Sequence, residues 1–296
     1  MFYHIADFYI ELQFAENNNN DASLVPSLSP FLVERVDEFD NLLFKLTVDD
    51  RLKPRREGRE RIGKFDTGNG DTVVDHFADG SYQYIIKNVL GGECCLLQAD
   101  SKFQNCVCAL NGTHNMRTFG LNNALMLIFA FAGSLKNTLL MHASLVRQDD
   151  FGYAFIAKSG TGKSTQVSNW LKVIPGCDLM NDDNPIIRII DENVFIYGSP
   201  WSGKTPCYRK VKARLGAITR IERDSSNWVE ELNPVKAFAS VLPSCSTMKW
   251  DSRIFNAVCD SVTKLVESIG IYTLHCLPNE ESASVCYKSI SKKNVK

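Results

Sequence analysis

The order of apolar and polar positions divides the chain into two parts. Up to about residue 117 it predicts strands and turns, because short runs alternate apolar and polar side chains, as half-buried strands do. Turn signals such as Asp79-Gly80 separate these runs. We predict a mainly β domain over residues 1–117, in which the basic stretch 51–64 is interpreted as an exposed loop, with a binding patch as the alternative. The predicted strands cover residues 7–14, 40–48, 71–77, 81–89, 93–99 and 105–110.

From about residue 118 the pattern changes to helices that alternate with strands, which predicts an α/β domain over residues 118–296. Asn233 followed by Pro234 predicts a helix start, and Gly270 predicts a helix stop. The predicted helices cover residues 121–133, 165–173, 233–242, 253–270 and 280–290, and the predicted strands 139–146, 152–157, 215–223 and 271–277.

Composition and charge exclude several classes of protein. The 296 residues are 44% apolar and 23% charged, which supplies a packed core and excludes a disordered or fibrous chain. The 33 basic and 34 acidic residues leave a net charge of −1, so the overall basic field of a nucleic-acid-binding protein is absent. We therefore expect no nucleic-acid partner, and any anion must be attracted by a local cluster of basic groups.

The cysteines and the apolar segments predict a cytoplasmic protein. The ten cysteines include no Cys-x-x-Cys pair, and several lie in apolar runs, which is typical of reduced thiols in a core. The first residues include Asp7 and Glu11 and lack the basic segment of a signal peptide. The strongest apolar run, Ala124–Gly133, is shorter than the ~20 residues that cross a bilayer, so no membrane role is expected.

Residues 157–164 form the clearest motif of the chain. They read Ala-Lys-Ser-Gly-Thr-Gly-Lys-Ser, the P-loop pattern with Ala in place of its first Gly. A chance match is the alternative, but this motif follows an apolar strand and begins a helix, which is the context it requires. Backbone N–H groups of such a loop bind a polyphosphate, Lys163 reaches the β- and γ-phosphates, and Ser164 holds Mg²⁺. The candidate nucleotide-binding residues are Ser159, Gly160, Thr161, Gly162, Lys163, Ser164 and Thr165.

Two carboxylates and a histidine accompany this motif. Asp182 and Asp183 follow its helix, where they form either a plain turn or a site that holds Mg²⁺ and accepts a proton. We favour the second interpretation because a nucleotide site needs an acidic metal partner nearby. His142 lies in the apolar strand before the P-loop strand, where it is either a core residue or part of the site.

A loop rich in glycine and proline follows at residues 198–206. Between Asn193 and Ile221 the chain has six basic residues and no acid. Lys210 and Lys212 are interpreted as solvated surface. Lys204 lies in this loop and Arg209 lies close after it, and for both residues either binding of a substrate anion or a solvated surface position is open.

Together these residues resemble the kinase core of HPr kinase/phosphorylase and its phosphoenolpyruvate-carboxykinase-like relatives. The resemblance rests on His142-Ala-Ser-Leu-Val, on Ser159–Ser164 and on Asp182-Asp183, in matching order over about residues 141–190. The Gly-x-Pro-Trp-x-Gly-Lys loop at residues 198–204 is also similar to a loop of smaller HPr-kinase-like proteins. The implied fold is an α/β P-loop kinase core, here preceded by the mainly β N-terminal domain.

The resemblance implies a role for each matched residue. Asp182 would take the proton from an attacking hydroxyl, Asp183 would bind the metal, and His142 would lie beside the reacting phosphate. Two family features have no recognisable match here: a downstream glutamate metal ligand and the Arg-containing segment tied to phosphorolysis. Neither dephosphorylation nor HPr as the substrate is therefore implied.

These observations predict a kinase that depends on ATP and Mg²⁺ and transfers the γ-phosphoryl group to a hydroxyl. The acceptor is a peptide, a protein or a small molecule, with serine favoured, and GTP, ADP or pyrophosphate remain open as donors. A nucleotide-binding regulatory protein without kinase activity and a simple ATPase are the alternatives. The resemblance also implies a homo-oligomer, although the sequence itself displays no interface.

Overall fold

The computed structural model describes residues 1–16, 20–34, 41–66, 70–158, 160–203 and 205–292. The chain forms two compact units, Met1–Gly133 and Ser134–Lys296. The boundary between the units lies after Gly133, whereas the sequence pattern placed it at residue 117. The reason is helix α1 (His114–Ser134), whose Phe129 and Phe131 rings contact Phe8 and Phe103 in the core of the first unit.

The first unit is built on one nine-stranded sheet, as the alternating pattern predicts. In β2, for example, Ile10 and Leu12 are fully buried and their neighbours in sequence are partly exposed. The strands are β1 (Phe2–Ile5), β2 (Phe8–Phe14), β3 (Leu32–Val33), β4 (Leu42–Val48), β5 (Arg59–Asp66), β6 (Gly70–Phe77), β7 (Tyr82–Asn88), β8 (Glu93–Ala99) and β9 (Asn105–Leu110). Their order across the sheet is β3-β1-β2-β4-β9-β8-β7-β6-β5, and short 3-10 helices lie at Ala22–Leu24 and Pro26–Phe31.

One prediction for the first unit is wrong in part. The basic stretch 51–64 was expected to be an exposed loop; residues 51–58 lie outside the strands and are mostly exposed, but β5 begins at Arg59 and pairs with β6. The strand lies at the edge of the sheet, and its Arg59 and Arg61 side chains reach the buried carboxylate of Asp75 on β6. Cross-strand ion pairs, rather than apolar alternation, accompany this strand, so its sequence carries no strand signal.

The second unit is a mixed sheet with helices on both faces, which confirms the predicted α/β class. Its strands are β10 (Thr138–Leu140), β11 (Ala143–Gln148), β12 (Phe151–Ile156), β13 (Asp178–Asp183), β14 (Ile186–Ile190), β15 (Asn193–Tyr197), β16 (Lys212–Arg223), β17 (Trp228–Glu231) and β18 (Gly270–Cys276). Its helices are α2 (Lys163–Val173), α3 (Pro234–Val241), α4 (Ser252–Ser268) and α5 (Glu280–Ile290), with a 3-10 turn at Leu242–Ser244.

The order and direction of the strands determine which strand ends lie together. The sheet runs β10-β14-β15-β16-β12-β11-β13, with β18 also beside β16 and β17 beside β18. Strand β12 is parallel to β16, and β16 is parallel to β18. Strand β11 is antiparallel to both β12 and β13. The carboxyl ends of β12, β13, β16 and β18 therefore lie along one edge of the sheet, together with the amino end of β11.

Two apolar cores hold the helices to the sheet. On one face, Leu145 and Ile218 pack in a buried cluster with Val258 and Val262 of α4. On the other face the buried indole of Trp170 in α2 contacts Tyr153 and Phe155 of β12 and Tyr287 of α5, with ring centroids 5.2–5.5 Å apart. Aliphatic packing on one face and buried aromatic rings on the other fix β12, and the loop that follows it, in place.

The predicted capping signals hold with one exception, and α1 begins at His114 rather than at the predicted residue 121. Asn233 caps α3 by accepting a hydrogen bond from the backbone N–H of Lys236 at 3.0 Å, and Pro234 is the first helical residue. Gly270 was predicted to end the preceding helix, but α4 ends at Ser268 and Gly270 is the first residue of β18. Here Ile269 leaves the helix in an extended conformation, so no left-handed glycine is needed.

All ten cysteines are free, as predicted. Burial raises the pKa of several of these thiols, for example that of Cys245 to about 12. Within the described ranges, no helix combines the length and the apolar character that crossing a bilayer requires.

Candidate active site

The topology of the second unit brings the predicted site residues together. Ser144 near the start of β11 pairs with Phe155 near the end of β12 and with Asp182 near the end of β13. The loop after β12 and the Asp182-Asp183 pair therefore lie at the same edge, on either side of β11. The two aspartates are the last residues of a strand rather than a plain turn.

The segment 139–146 was predicted to be one strand, but it is two. Strand β10 pairs with β14, whereas β11 pairs with β12 and β13, so the chain changes neighbours between them. The break falls at Met141 and His142, where the backbone N–H of His142 donates to Ser244 O at 2.7 Å. The His142 side chain is half exposed rather than a core residue.

The loop after β12 has a backbone that requires glycine. Gly160 and Gly162 have φ angles of 76° and 133°, a region that L side chains rarely adopt. Helix α2 begins directly afterwards at Lys163 and has no acidic residue in its first turn and no side-chain cap. Its first N–H groups are therefore available to an anion. Ser164 and Thr165 are exposed at this end, and Ser159 lies outside the described residues.

A hydrogen-bonded chain links this loop to the aspartate pair through His142. Lys163 Nζ lies 3.0 Å from His142 Nε2, and His142 Nδ1 lies 3.0 Å from Asp183 Oδ1. An ammonium group only donates, so Nε2 accepts, and the ring proton is on Nδ1, from which it is donated to Asp183. Burial lowers the pKa of Lys163, while Asp183 and Asp182 act in the opposite direction. Lys163 also donates to Ala157 O at 3.2 Å.

The carboxylate of Asp182 is buried and both of its oxygens are engaged. Oδ1 accepts from the Ser144 hydroxyl at 3.2 Å, and Oδ2 accepts from the backbone N–H of Thr205 at 3.2 Å. Asp182 as a whole is only 8% exposed. The backbone N–H of Gly203 donates to Asp182 O at 2.7 Å, and a Cβ at Gly203 would lie 2.6 Å from that oxygen. The glycine- and proline-rich loop is thus held directly against Asp182.

Sequence reasoning missed the two polar residues that hold this loop in place. Asn181 Oδ1 accepts from the backbone N–H groups of Asp183 and Asn184, and its Nδ2 donates to Ser199 Oγ and Trp201 O. Asn181 and Ser199 are both fully buried. The available signal was an Asn before the aspartate pair and a Ser between Gly198 and Pro200, which are ordinary loop residues in isolation.

Arg223 is a further residue that the sequence did not single out. Its guanidinium donates from Nη2 to Gly160 O at 2.7 Å and from Nε to Thr161 O at 3.3 Å. Arg223 ends β16, the parallel neighbour of β12, so it reaches the loop from the adjacent strand. A basic residue at the end of a predicted strand gave no distinctive signal.

The basic residues of 193–221 do not form one cluster among the described residues. Arg209 donates to Asp178 Oδ2 at 2.7 Å and to Leu179 O, and Arg147 donates to the same carboxylate at 2.9 Å. Burial would raise the pKa of Asp178, but these two guanidinium groups lower it. Lys212 lies over the Phe195 ring, and Arg220 pairs with Glu222 on its own strand. Lys204 lies outside the described residues, and anion binding by Lys204 and Arg209 stays a prediction.

Two hollows lie beside the loop after β12 and share Gly160, Thr161, Ile221 and Arg223 in their linings. The first, of about 480 Å³, is lined mainly by charged side chains, including Lys158, Arg220, Glu222 and Arg223. The second, of about 380 Å³, lies between the first turn of α2 and the ends of β16 and β18. Both have volumes in the range of small-molecule sites.

The donor set for a metal consists of oxygen atoms. Among the described residues no group of three or more His, Cys, Asp or Glu side chains is arranged to hold a metal ion. Asp183 and the exposed hydroxyl of Ser164 offer hard oxygen ligands near the helix end. Mg²⁺ is commonly bound by one or two carboxylates together with substrate phosphates, so these residues fit Mg²⁺ held with a nucleotide.

No family model and no curated protein matches the sequence. Among solved structures, the chain is similar to the Hpr(Ser) kinase/phosphatase from Coxiella burnetii at 10% sequence identity. The match covers 51% of this chain and 95% of that chain, with a TM-score of 0.29. This is a weak similarity at the level of the fold, and it supports no conclusion about function.

Proposed function

We propose that the protein is a kinase that uses ATP and Mg²⁺ to phosphorylate a hydroxyl group, with serine as the favoured acceptor. The observation that carries the proposal is the His142 ring, which joins Lys163 at the start of α2 to Asp183 at the end of β13. Phosphoryl transfer uses a phosphate-binding loop and its lysine close to carboxylates that hold the metal and accept the proton, and the ring joins one residue of each group.

In this proposal the loop and the helix end bind the triphosphate. The first N–H groups of α2 and the Lys163 ammonium face the β- and γ-phosphates, and Arg223 keeps the loop carbonyls turned away. Asp183 and Ser164 would hold Mg²⁺, which neutralises phosphate charge when it is bound. His142 fixes Lys163 relative to Asp183, so the loop and the acidic pair keep a constant separation.

Asp182 would act as the base. The Ser144 hydroxyl and the Thr205 N–H orient its carboxylate toward one position, which limits reorganisation during the reaction. Asp182 takes the proton of the acceptor hydroxyl as that oxygen forms a bond to the γ-phosphorus. The bond between the γ-phosphorus and the bridging oxygen breaks, and ADP leaves with the electron pair.

A nucleotide-binding regulatory protein without transfer activity is the second candidate. The observation in its favour is that the described residues provide no group of three metal-ligating side chains. It predicts that Mg²⁺–ATP binds and raises the melting temperature without any phosphorylated product.

The test is an acceptor screen on the full chain. The protein is incubated with Mg²⁺ and γ-labelled ATP, with free serine and with a library of serine-containing peptides. The kinase proposal predicts label on an acceptor, at a rate that depends on acceptor concentration. Release of phosphate without an acceptor would instead identify an ATPase, and binding without either product would favour the regulatory protein.

A further inference from the structure

The second hollow has the composition of a binding site for a nucleobase. It is lined by apolar groups at the ends of two parallel strands, by the buried amide of Gln166 in α2, and by the charged residues Arg223 and Asp224. The residues that matter are Gln166, Ile221, Asp224, Cys276, Leu277 and Pro278. Crevices at the carboxyl ends of parallel strands are the usual ligand positions in open α/β sheets.

The position of this hollow matches the direction in which a bound nucleotide would extend. His142 and Asp183, toward which the γ-phosphate points in the proposed function, lie at the ends of β11 and β13, on one side of β12. The hollow lies on the opposite side of β12, where β16 and β18 end. A triphosphate lying along the loop therefore places its nucleoside in the hollow.

Gln166 supplies the unsatisfied polar group. Its residue is 2% exposed, and Nε2 has no hydrogen-bond partner among the described residues. The Ser282 hydroxyl lies 2.8 Å from Gln166 Oε1 and 2.6 Å from Asn279 O, and its single proton can serve one of them. Gln166 therefore keeps one unpaired polar atom whichever way its carboxamide is turned. An unpaired buried amide has a free-energy cost that a ligand's hydrogen bond removes.

The first hollow is a poorer match for a base. Arg223 lines both hollows, but the first adds Lys158, Arg220 and Glu222, whereas the second adds one charged residue, Asp224, and offers Leu277 and Pro278 as apolar walls. Bases bind between apolar or aromatic surfaces with a few polar contacts at their edge.

We infer that the second hollow binds the nucleoside of the donor nucleotide and that Gln166 recognises the polar edge of its base. This inference rests on the proposed function, because it takes the loop after β12 as the triphosphate site. Gln166 is then a specificity-determining residue that contacts the base and not the phosphates.

Calorimetric titration of the full chain with Mg²⁺–ATP and with Mg²⁺–tripolyphosphate tests the inference. In the wild-type protein ATP should bind about tenfold or more tightly than tripolyphosphate, because only ATP buries a base. Gln166→Leu should weaken the binding of ATP about three- to tenfold and leave the binding of tripolyphosphate unchanged. It therefore lowers the ratio of the affinity for ATP to the affinity for tripolyphosphate. Leu277→Ser, at an exposed wall of the second hollow, should also lower this ratio, and Glu222→Gln in the first hollow should not change it.

The outcomes separate this inference from the proposed function. If neither ligand binds the wild-type protein, the proposed function fails and the inference fails with it. If tripolyphosphate binds as tightly as ATP, or if Gln166→Leu and Leu277→Ser both leave the ratio unchanged, only the nucleoside site is overturned. Should Gln166→Leu not fold, the result with Leu277→Ser decides.

Discussion

His142 Nδ1 lies 3.0 Å from Asp183 Oδ1, and the opposite ring nitrogen lies 3.0 Å from Lys163 Nζ. One imidazole therefore spans the distance between the start of α2 and the end of β13. Both contacts are possible at once because β11, which begins at the next residue, lies between β12 and β13.

His142→Ala should lower phosphoryl transfer about 10- to 100-fold and change nucleotide affinity much less, because Lys163 loses its link to Asp183. His142→Gln is the matched control. Its carbonyl can accept from Lys163 and its amide can donate to Asp183, so it should recover much of the rate. Steady-state kinetics and calorimetry on both variants check this, and equal rates for Ala and Gln would contradict it.

Arg223→Gln should weaken the binding of tripolyphosphate about three- to tenfold, because Gly160 and Thr161 lose the bonds that orient their carbonyls. Arg220→Gln is the control: it removes a similar charge from the same strand, where Arg220 pairs with the partly exposed Glu222. If both variants weaken binding equally, general charge rather than the shape of the loop is responsible.

Gly203→Ala should destabilise the protein by about 1–3 kcal/mol, because the added Cβ would lie 2.6 Å from Asp182 O. The loop would have to move, and Thr205 would lose its bond to the Asp182 carboxylate. Denaturant unfolding measures the first effect and the transfer rate measures the second. Unchanged stability together with an unchanged rate would show that the loop is not held against Asp182.

Cys177 should react slowly with thiol reagents at neutral pH. Burial, assisted by the nearby Asp178 carboxylate, raises its pKa to about 12. Only the thiolate reacts, so the labelling rate should still be rising about tenfold per pH unit at pH 10, where an ordinary thiol has levelled off. The difference in labelling between the wild-type protein and Cys177→Ser isolates this residue, and a plateau near pH 9 would contradict the assignment.

The sequence predicts the elements whose signals are local. The strand and helix that flank residues 157–164, the Asn233 cap of α3 and the bounds of α5 follow from periodicity, capping and glycine patterns. Strand β5 cannot be predicted from such patterns, because ion pairs with β6 accompany it instead of an alternating apolar face. The break at His142 cannot be predicted from them either, because it results from strand pairing between distant segments.

The same distinction applies to the site. Lys163, Asp182 and Asp183 can be proposed from motif and spacing, and the structure brings them together through β11. Arg223 lies far along the chain from the loop that it contacts, and Gln166 lies within helix α2. An Arg or a Gln at such a position carries no distinctive sequence signal. Their contacts with the loop and the hollow depend on which strand ends are neighbours, and the order of strands is not encoded in any local pattern.

In the proposed mechanism Asp182 removes the proton from the acceptor hydroxyl, and the Asp182→Asn variant measures that role. The amide keeps the size and can still accept from Ser144, so Mg²⁺–ATP affinity should stay within about threefold of wild type. The rate of γ-phosphoryl transfer to an acceptor found in the screen should fall about 100-fold or more. Transfer at the wild-type rate, with nucleotide binding intact, would contradict the assignment of Asp182 as the base.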